Sequence, residues 1–220
     1  HELRSPLGRA RSALEIARER KEGEHVLRAL DDVDRQLVEI DAILGDLLAS
    51  ARAGLADVRR ESVDIVAWLE RRALAETTGP VEVARVGADD VHLEIDPALL
   101  GRAFHNVLAN AWAHGHPKDA PLLVTLSTTD DLIRIAVRDR GPGFAAEILP
   151  RAFDPFVTGT GAARSPGAHG MGLGLALVRR IVEAHGGHAT AENVHVDGRP
   201  AGAIVTIALE RKKVELERKT

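Results

Sequence analysis

The spacing of the apolar residues changes near residue 57, and this change divides the chain into two parts. In the first 53 residues, apolar residues recur at alternating intervals of three and four, which is typical of helices with a heptad seam. The first series is Leu3, Leu7, Ala10, Leu14 and Ala17, and the second is Leu30, Val33, Leu37, Ile40, Leu44, Leu47 and Ala51. A short turn containing Gly23 separates them, so residues 1–54 are predicted to form an antiparallel helical hairpin.

Such a hairpin cannot enclose its own apolar seam. A second copy of the chain would complete the burial, so we expect a homodimer in which two hairpins form a four-helix bundle. The alternative is a hairpin that packs against the rest of its own chain.

The second part has the pattern of an α/β sandwich, so the whole chain is predicted to be α+β. We expect residues 62–210 to form a mixed sheet covered by helices on one face, followed by a charged tail over 211–220. Helices are predicted over 63–76, 96–115 and 173–185, the second capped by Asp96. Strands are predicted over 81–86, 91–95, 122–128, 132–139, 188–194 and 203–209.

Composition excludes several classes of function. The net charge of −4 gives no basis for binding nucleic acid or an anionic membrane surface. Cysteine is absent, which excludes disulfides, thiolate nucleophiles and cysteine-ligated metals. No apolar run approaches the roughly 18 residues of a membrane-spanning helix. A zinc site at His105, His114 and His116 is a minor alternative, because the supporting carboxylate or cysteine spacing is missing.

Three motifs in the second part carry polar or glycine residues at informative spacings. In NVLAN, Asn106 and Asn110 are four residues apart and project from one helical face, where neutral oxygens suit a hard cation held mainly by phosphates. Such pairs also occur as surface or capping residues. In GMGLGLALV, three glycines open an amphipathic helix whose free amides could bind a polyphosphate. No Gly-Lys-Ser/Thr sequence follows, so this is not a Walker loop.

The third motif, DRGPGF, follows an apolar strand. Asp139 can accept a hydrogen bond from an exocyclic amine, while Gly141 and Gly143 allow the backbone to approach a flat ring. GPGFAA also matches a loose dinucleotide-binding pattern, but Pro150 leaves no room for the long helix which that pattern requires. At the head of the chain, HELRSPL places His1 and Ser5 on one helical face, away from the apolar seam, and Pro6 loosens the helix beside them.

Together and in this order, these motifs resemble those of the sensor histidine kinases of two-component signalling. HELRSPL is similar to their H box, FHNVLANAWAHG to the N box, DRGPGF to the G1 box, FDPF to the F box and GMGLGLALV to the G2 box. The resemblance covers about residues 1 to 209. It implies a dimerisation and phosphotransfer hairpin followed by a Bergerat-type ATP-binding domain, in the cytoplasmic portion of a longer and membrane-anchored sensor.

The resemblance also implies a role for each motif residue. His1 is the phosphoacceptor, Glu2 the general base, and Ser5 the residue that positions water for dephosphorylating a response regulator. Asn106 and Asn110 hold Mg²⁺ with the triphosphate of ATP. Residues 159–169 form a lid with Phe153 and Phe156 at its base. The expected nucleotide contacts are Asn106, Asn110, His114, Asp139, Gly141, Gly143, Phe156, Gly170, Gly172, Gly174 and Leu175.

The same ATP fold serves ATPase machines, which resemble each other in carrying a water-activating glutamate four residues before the magnesium-binding asparagine. Here that position is Asn106, an amide that cannot accept a proton at neutral pH, so transfer to a histidine is favoured. An ATPase machine and a degenerate nucleotide-binding scaffold remain the alternatives. The chain also has Ala113 where the family commonly has Lys or Arg, which predicts weaker ATP binding than is typical.

Overall fold

The computed structural model of the chain describes residues 58–75, 79–88, 91–114, 116–117, 119–158 and 172–211, together with Val33. The predicted hairpin with His1, Glu2 and Ser5 therefore lies outside the described residues, apart from Val33. The same is true of the predicted lid over 159–169, of Gly170, and of residues 212–220 of the tail. No helix within the described ranges is both long and apolar enough to cross a membrane.

The described part alternates strands and helices along the chain. Its elements are β1 (Glu61–Asp64), α1 (Ile65–Leu74), β2 (Val81–Val86), β3 (His92–Ile95), α2 (Pro97–Ala113), β4 (Leu122–Thr128), β5 (Leu132–Arg138), α3 (Gly174–Ala184), β6 (His188–Val196) and β7 (Arg199–Glu210). A 3₁₀ turn, Leu149–Arg151, lies between β5 and α3.

Two aspartates start the first two helices. Asp64 accepts hydrogen bonds from the amides of Val66 and Ala67, which begins α1. Asp96 does the same for Ala98 and Leu99, with Pro97 as the first residue of α2. The predicted cap of α2 is therefore confirmed.

The strands form a five-stranded mixed sheet in the order β2-β4-β5-β7-β6, and β1 pairs separately with β3. The pair β2–β4 is parallel, and the other pairs of the large sheet are antiparallel. This confirms the predicted mixed sheet of an α+β fold.

One face of the large sheet supplies most of its buried side chains. Alternate residues of β4, β5 and β7 point to that face and are paired in register, as in Val124↔Val137 and Val137↔Val205. Helices α2 and α3 pack against each other, and both contact strands of this sheet. Burying the apolar stripe of α3 in this way brings its first turn beside the middle of α2.

The structure differs from the predicted elements at two places. Residues 61–64 form strand β1, although the sequence predicts a helix from residue 63. Their pairing with β3 joins residues far apart in sequence, so no local pattern indicates it. Strands β6 and β7 are also longer than predicted, and they meet in a turn at Asp197 and Gly198. Both turn residues have the positive φ that a type I′ hairpin turn requires.

Candidate nucleotide-binding site

Asn106 and Asn110 lie one turn apart on α2, and both are half-buried. The amide nitrogen of Asn106 donates to the carbonyl oxygen of Arg102 at 3.1 Å. Its Oδ1 faces α3, because a Cβ added at Gly174 would lie 3.1 Å from that oxygen. The oxygen of Asn106, the atom suited to a hard cation, thus lies beside the first residue of α3.

Helix α3 begins at Gly174 without a side-chain cap. Leu173 occupies the N-cap position, and within the described part of the chain no side chain caps the first amides there. Uncapped amides and the positive end of the helix dipole favour an anion such as a phosphate. Leu175, in the same turn, has a buried side chain, so it could contact a ligand there through its backbone.

The FDPF segment is joined to the start of α3 by its backbone. The amide of Phe156 donates to the carbonyl oxygen of Gly172 at 3.0 Å, and Gly172 has a φ of +70°. The Phe156 side chain is 60% exposed, whereas Phe153 is half-buried. The structure therefore brings Phe156 beside Gly172 and Gly174.

Asp139 directly follows β5 and has a buried carboxylate. Its Oδ1 accepts from the amides of Gly141 at 2.8 Å and Ala203 at 3.0 Å. Both of these hydrogen bonds are made to Oδ1, which leaves Oδ2 to accept from a ligand. This arrangement fits an exocyclic amine, which donates to a single carboxylate oxygen.

Burial raises the pKa of Asp139 above its ordinary value of 3.8, because desolvation disfavours the charged form. The hydrogen bonds from Gly141 and Ala203 lower the pKa and so oppose this effect. Positive charge on His114 or His116 would act in the same direction. The two backbone amides thus help to keep the acceptor ionised.

The glycines of the DRGPGF loop are in close contact with other parts of the chain. A Cβ at Gly141 would lie 2.5 Å from the carbonyl oxygen of His114, which ends α2. A Cβ at Gly143 would lie 2.7 Å from Oδ1 of Asn193. These contacts with the chain itself are enough to explain why both positions are glycine, whether or not a flat ring binds beside them.

Three residues that support this loop were not predicted from the sequence. Asn193 on β6 accepts from the amide of Phe144 at 2.7 Å and donates to its carbonyl oxygen at 2.8 Å. His116 accepts from the amide of Arg140 at 3.1 Å. Gly202 lies against the carbonyl oxygen of Asp139, and a glycine inside the strand β7 was a signal that could have indicated this close approach.

Asp139 suits the exocyclic amine of a base, and the uncapped start of α3 suits the phosphates of the same nucleotide. The oxygen of Asn106 suits a cation bound to those phosphates. Among the described residues no group of three or more His, Asp or Glu side chains could hold a metal ion by itself. Both ring nitrogens of His116 are hydrogen-bonded to the backbone, which is incompatible with the zinc alternative at this residue. A cation held mainly by phosphates needs few protein ligands.

Comparison with known proteins identifies the domain. The profile of the histidine kinase-, DNA gyrase B-, and HSP90-like ATPases matches residues 95–213. A sensor histidine kinase component, HK1, of Mycobacterium tuberculosis (strain ATCC 25618 / H37Rv) is 44% identical over 133 residues, which cover 57% of this chain and 73% of that protein. A probable sensor histidine kinase, HK, of Mycobacterium tuberculosis (strain CDC 1551 / Oshkosh) is 36% identical over 203 residues, covering 91% and 50%.

Among solved structures, full-length ShkA in complex with AMPPNP is similar, with a TM-score of 0.63 and 25% identity. The match covers 95% of this chain and 44% of that one. The chain spans about half the length, or less, of most of the curated relatives that it matches. The profile match and the 44% identity to HK1 show that this chain belongs to the sensor histidine kinases and carries their ATP-binding catalytic domain.

Proposed function

We propose that this chain phosphorylates itself on His1 with ATP and then passes the phosphoryl group to an aspartate of a response regulator receiver domain. In this proposal residues 1–54 form the dimerising hairpin and residues 62–210 the catalytic domain of a longer, membrane-anchored sensor. The observation that carries it is the side chain at position 106. The ATPase machines of this fold have a water-activating glutamate at the corresponding position, whereas here the side chain is the amide of Asn106, whose oxygen faces the start of α3.

ATP binding is assigned to residues whose geometry suits each part of the nucleotide. Oδ2 of Asp139 would accept from the adenine amino group, and the first amides of α3 would bind phosphate oxygens. Asn106 and Asn110 would hold Mg²⁺ by their side-chain oxygens. When bound, that ion would neutralise charge on the phosphates.

The transfer itself needs a nucleophile aligned with the terminal phosphate. Near neutral pH most of an exposed imidazole is unprotonated and able to attack. One ring nitrogen of His1 forms a bond to phosphorus while the bond from phosphorus to ADP breaks, and Glu2 takes the proton from the other ring nitrogen. Ser5 is assigned to the reverse function, positioning water when a response regulator is dephosphorylated.

The experiment is incubation of the full chain with γ-labelled ATP and Mg²⁺, followed by a test for acid-labile, alkali-stable label. We expect label on the wild-type chain and none on His1→Gln. The matched control is His188→Gln, an exposed histidine on β6, which should label normally.

Phosphate release separates the alternatives. Rapid release that continues in His1→Gln would identify an ATPase instead of a kinase. ATP binding without label or phosphate release would identify a scaffold. An Asn110→Ala variant should lose both ATP binding and label, because it removes a proposed ligand of the metal–phosphate group.

A further inference from the structure

The imidazole of His116 is held between two backbone segments by one hydrogen bond at each ring nitrogen. His116 is only 4% exposed. Nε2 lies 3.0 Å from the carbonyl oxygen of Ala120, and Nδ1 lies 3.1 Å from the amide nitrogen of Arg140. A carbonyl oxygen can only accept and an amide N–H can only donate, so Nε2–H donates to Ala120 and Nδ1 accepts from Arg140.

The position of this ring is set by parts of the chain other than the loop it contacts. Trp112 on α2 meets it edge to face, with ring centroids 4.8 Å apart at 87°. Ala120 belongs to a turn closed by its own amide and the carbonyl oxygen of Pro117, just before β4. His116 is therefore anchored to α2 and to the turn before β4, while its Nδ1 is directed at the loop after β5.

The amide that His116 binds belongs to the peptide group joining Asp139 to Arg140. The carbonyl oxygen of the same peptide group lies against Gly202, leaving no room for a Cβ there. A peptide group is planar, so contacts at both ends fix the orientation of the whole plane. That orientation sets the direction in which the Asp139 side chain leaves the backbone.

We propose that His116 is a positioning residue for base recognition, which holds the Asp139–Arg140 peptide plane so that the Asp139 carboxylate meets the exocyclic amino group of adenine. This inference rests on the proposed function, because it requires Asp139 to contact the base. It assigns His116 an effect on the choice of base and none on the binding of the phosphates.

Two substitutions separate the two hydrogen bonds of the ring. In His116→Asn the side-chain oxygen occupies nearly the position of Nδ1, so it can still accept from Arg140. In His116→Gln the amide nitrogen reaches nearly the position of Nε2, so it can still donate to Ala120 while the acceptor for Arg140 is lost. The variants thus differ in which half of the bridge they retain.

The test measures dissociation constants of the full chain for ATP and for inosine triphosphate, which has a carbonyl oxygen in place of the exocyclic amino group. The wild-type chain and His116→Asn should prefer ATP to a similar extent. His116→Gln should bind ATP about five- to tenfold more weakly with unchanged affinity for inosine triphosphate, so its selectivity falls.

Equal losses for both nucleotides in His116→Gln, or full retention of its ATP selectivity, would overturn the inference. Thermal unfolding without nucleotide checks that each variant is folded. If His116→Gln does not fold, a folded His116→Asn decides, because a loss of selectivity with the acceptor retained contradicts the proposal. A wild-type chain without preference for ATP would instead contradict the role of Asp139 in the proposed function.

Discussion

Gly202 lies where a side chain would displace the backbone of the site. Its φ is +123°, and a Cβ there would collide with the carbonyl oxygen of Asp139. Both the backbone conformation and the missing space therefore require glycine. We predict that Gly202→Ala lowers the free energy of unfolding by at least about 3 kcal/mol, measured by urea unfolding.

Gly198 provides the matched control for that prediction. It also has a positive φ, +73°, but a Cβ there would meet no atom within 4 Å. Gly198→Ala should cost only the conformational strain, about 1–2 kcal/mol. Equal losses in the two variants would show that the contact with Asp139 contributes nothing.

His185 is a buried histidine that joins the end of α3 to the start of α2. Its Nδ1–H donates to the carbonyl oxygen of Ile181 at 2.7 Å, and its Nε2 accepts from the amide of Asp96 at 3.0 Å. Burial lowers its pKa below 6.5, and the charge of Arg60 lowers it further, while the Ile181 contact and Asp96 act in the opposite direction. Protonation would also remove the acceptor for Asp96.

The lowered pKa predicts a loss of stability in acid. Between the folded pKa and 6.5 the unfolded chain binds a proton that the folded chain does not. The contribution of His185 is therefore complete above pH 6.5 and falls as the pH drops through that window, by at most about 1.4 kcal/mol per pH unit. His185→Gln should abolish this part of the pH dependence in urea unfolding. His188→Gln, at an exposed site, should retain it, and identical pH profiles for wild type and His185→Gln would contradict the prediction.

Single residues of the candidate site could be proposed from the sequence only where they belong to a compact motif. Asn106 and Asn110 both belong to the five-residue motif NVLAN, and Asp139 belongs to the six-residue motif DRGPGF. The partners of His116 and Asn193 in the DRGPGF loop are 24 and 49 residues away, so no local pattern indicates them. Their roles follow from the folded sheet, which brings those segments together.

At the scale of the elements, the two aspartate caps should differ in strength. Asp64 accepts from two amides of α1 and is half-buried. Asp96 accepts from two amides of α2 and also from the amide of Arg59 at 3.3 Å, and it is only 2% exposed. We predict that Asp64→Ala costs about 1 kcal/mol and Asp96→Ala about 2–3 kcal/mol in urea unfolding.

Asparagine substitutions control for the hydrogen bonds themselves. Asn is as good an N-cap as Asp, so Asp64→Asn should be close to wild type in stability. Asp96→Asn should recover most of the loss seen with alanine, because its oxygen can still accept from Ala98 and Leu99. Equal costs for Asp64→Ala and Asp96→Ala would show that burial adds nothing to the cap.

Most elements of the described part follow from local patterns, and the exceptions have physical reasons. Helices α2 and α3 carry strong apolar periodicity, and β4 and β5 alternate cleanly, so their bounds are close to those predicted. Strand β1 has four residues with one strongly apolar side chain, and only its pairing with β3 reveals it. Strand β6 extends to Val196 and ends in a hairpin turn at Asp197–Gly198. The Asp-Gly sequence is a local signal for such a turn.

At the scale of the whole catalytic domain, the candidate site joins elements that are distant in the chain. Asn106 comes from α2, Asp139 follows β5, and the uncapped amides belong to α3. The apolar face of the sheet holds these elements together by burying β5 and β7 beside the two helices. A ligand that contacts all three elements should therefore stabilise the folded domain as a unit.

This linkage gives a prediction for thermal unfolding. Mg²⁺ with ATP at about 100 times its dissociation constant should add roughly 2.7 kcal/mol to the free energy of unfolding, which is about 5–10 °C in Tm. Asp139→Asn should reduce the shift at the same ATP concentration, because a side-chain NH₂ would face the adenine amino group, and chelation of Mg²⁺ should reduce it in the wild type. The control is Asp130→Asn, at an exposed position between β4 and β5, which should keep the full shift. A shift that is the same in Asp139→Asn and the wild type would show that the carboxylate does not contact the base.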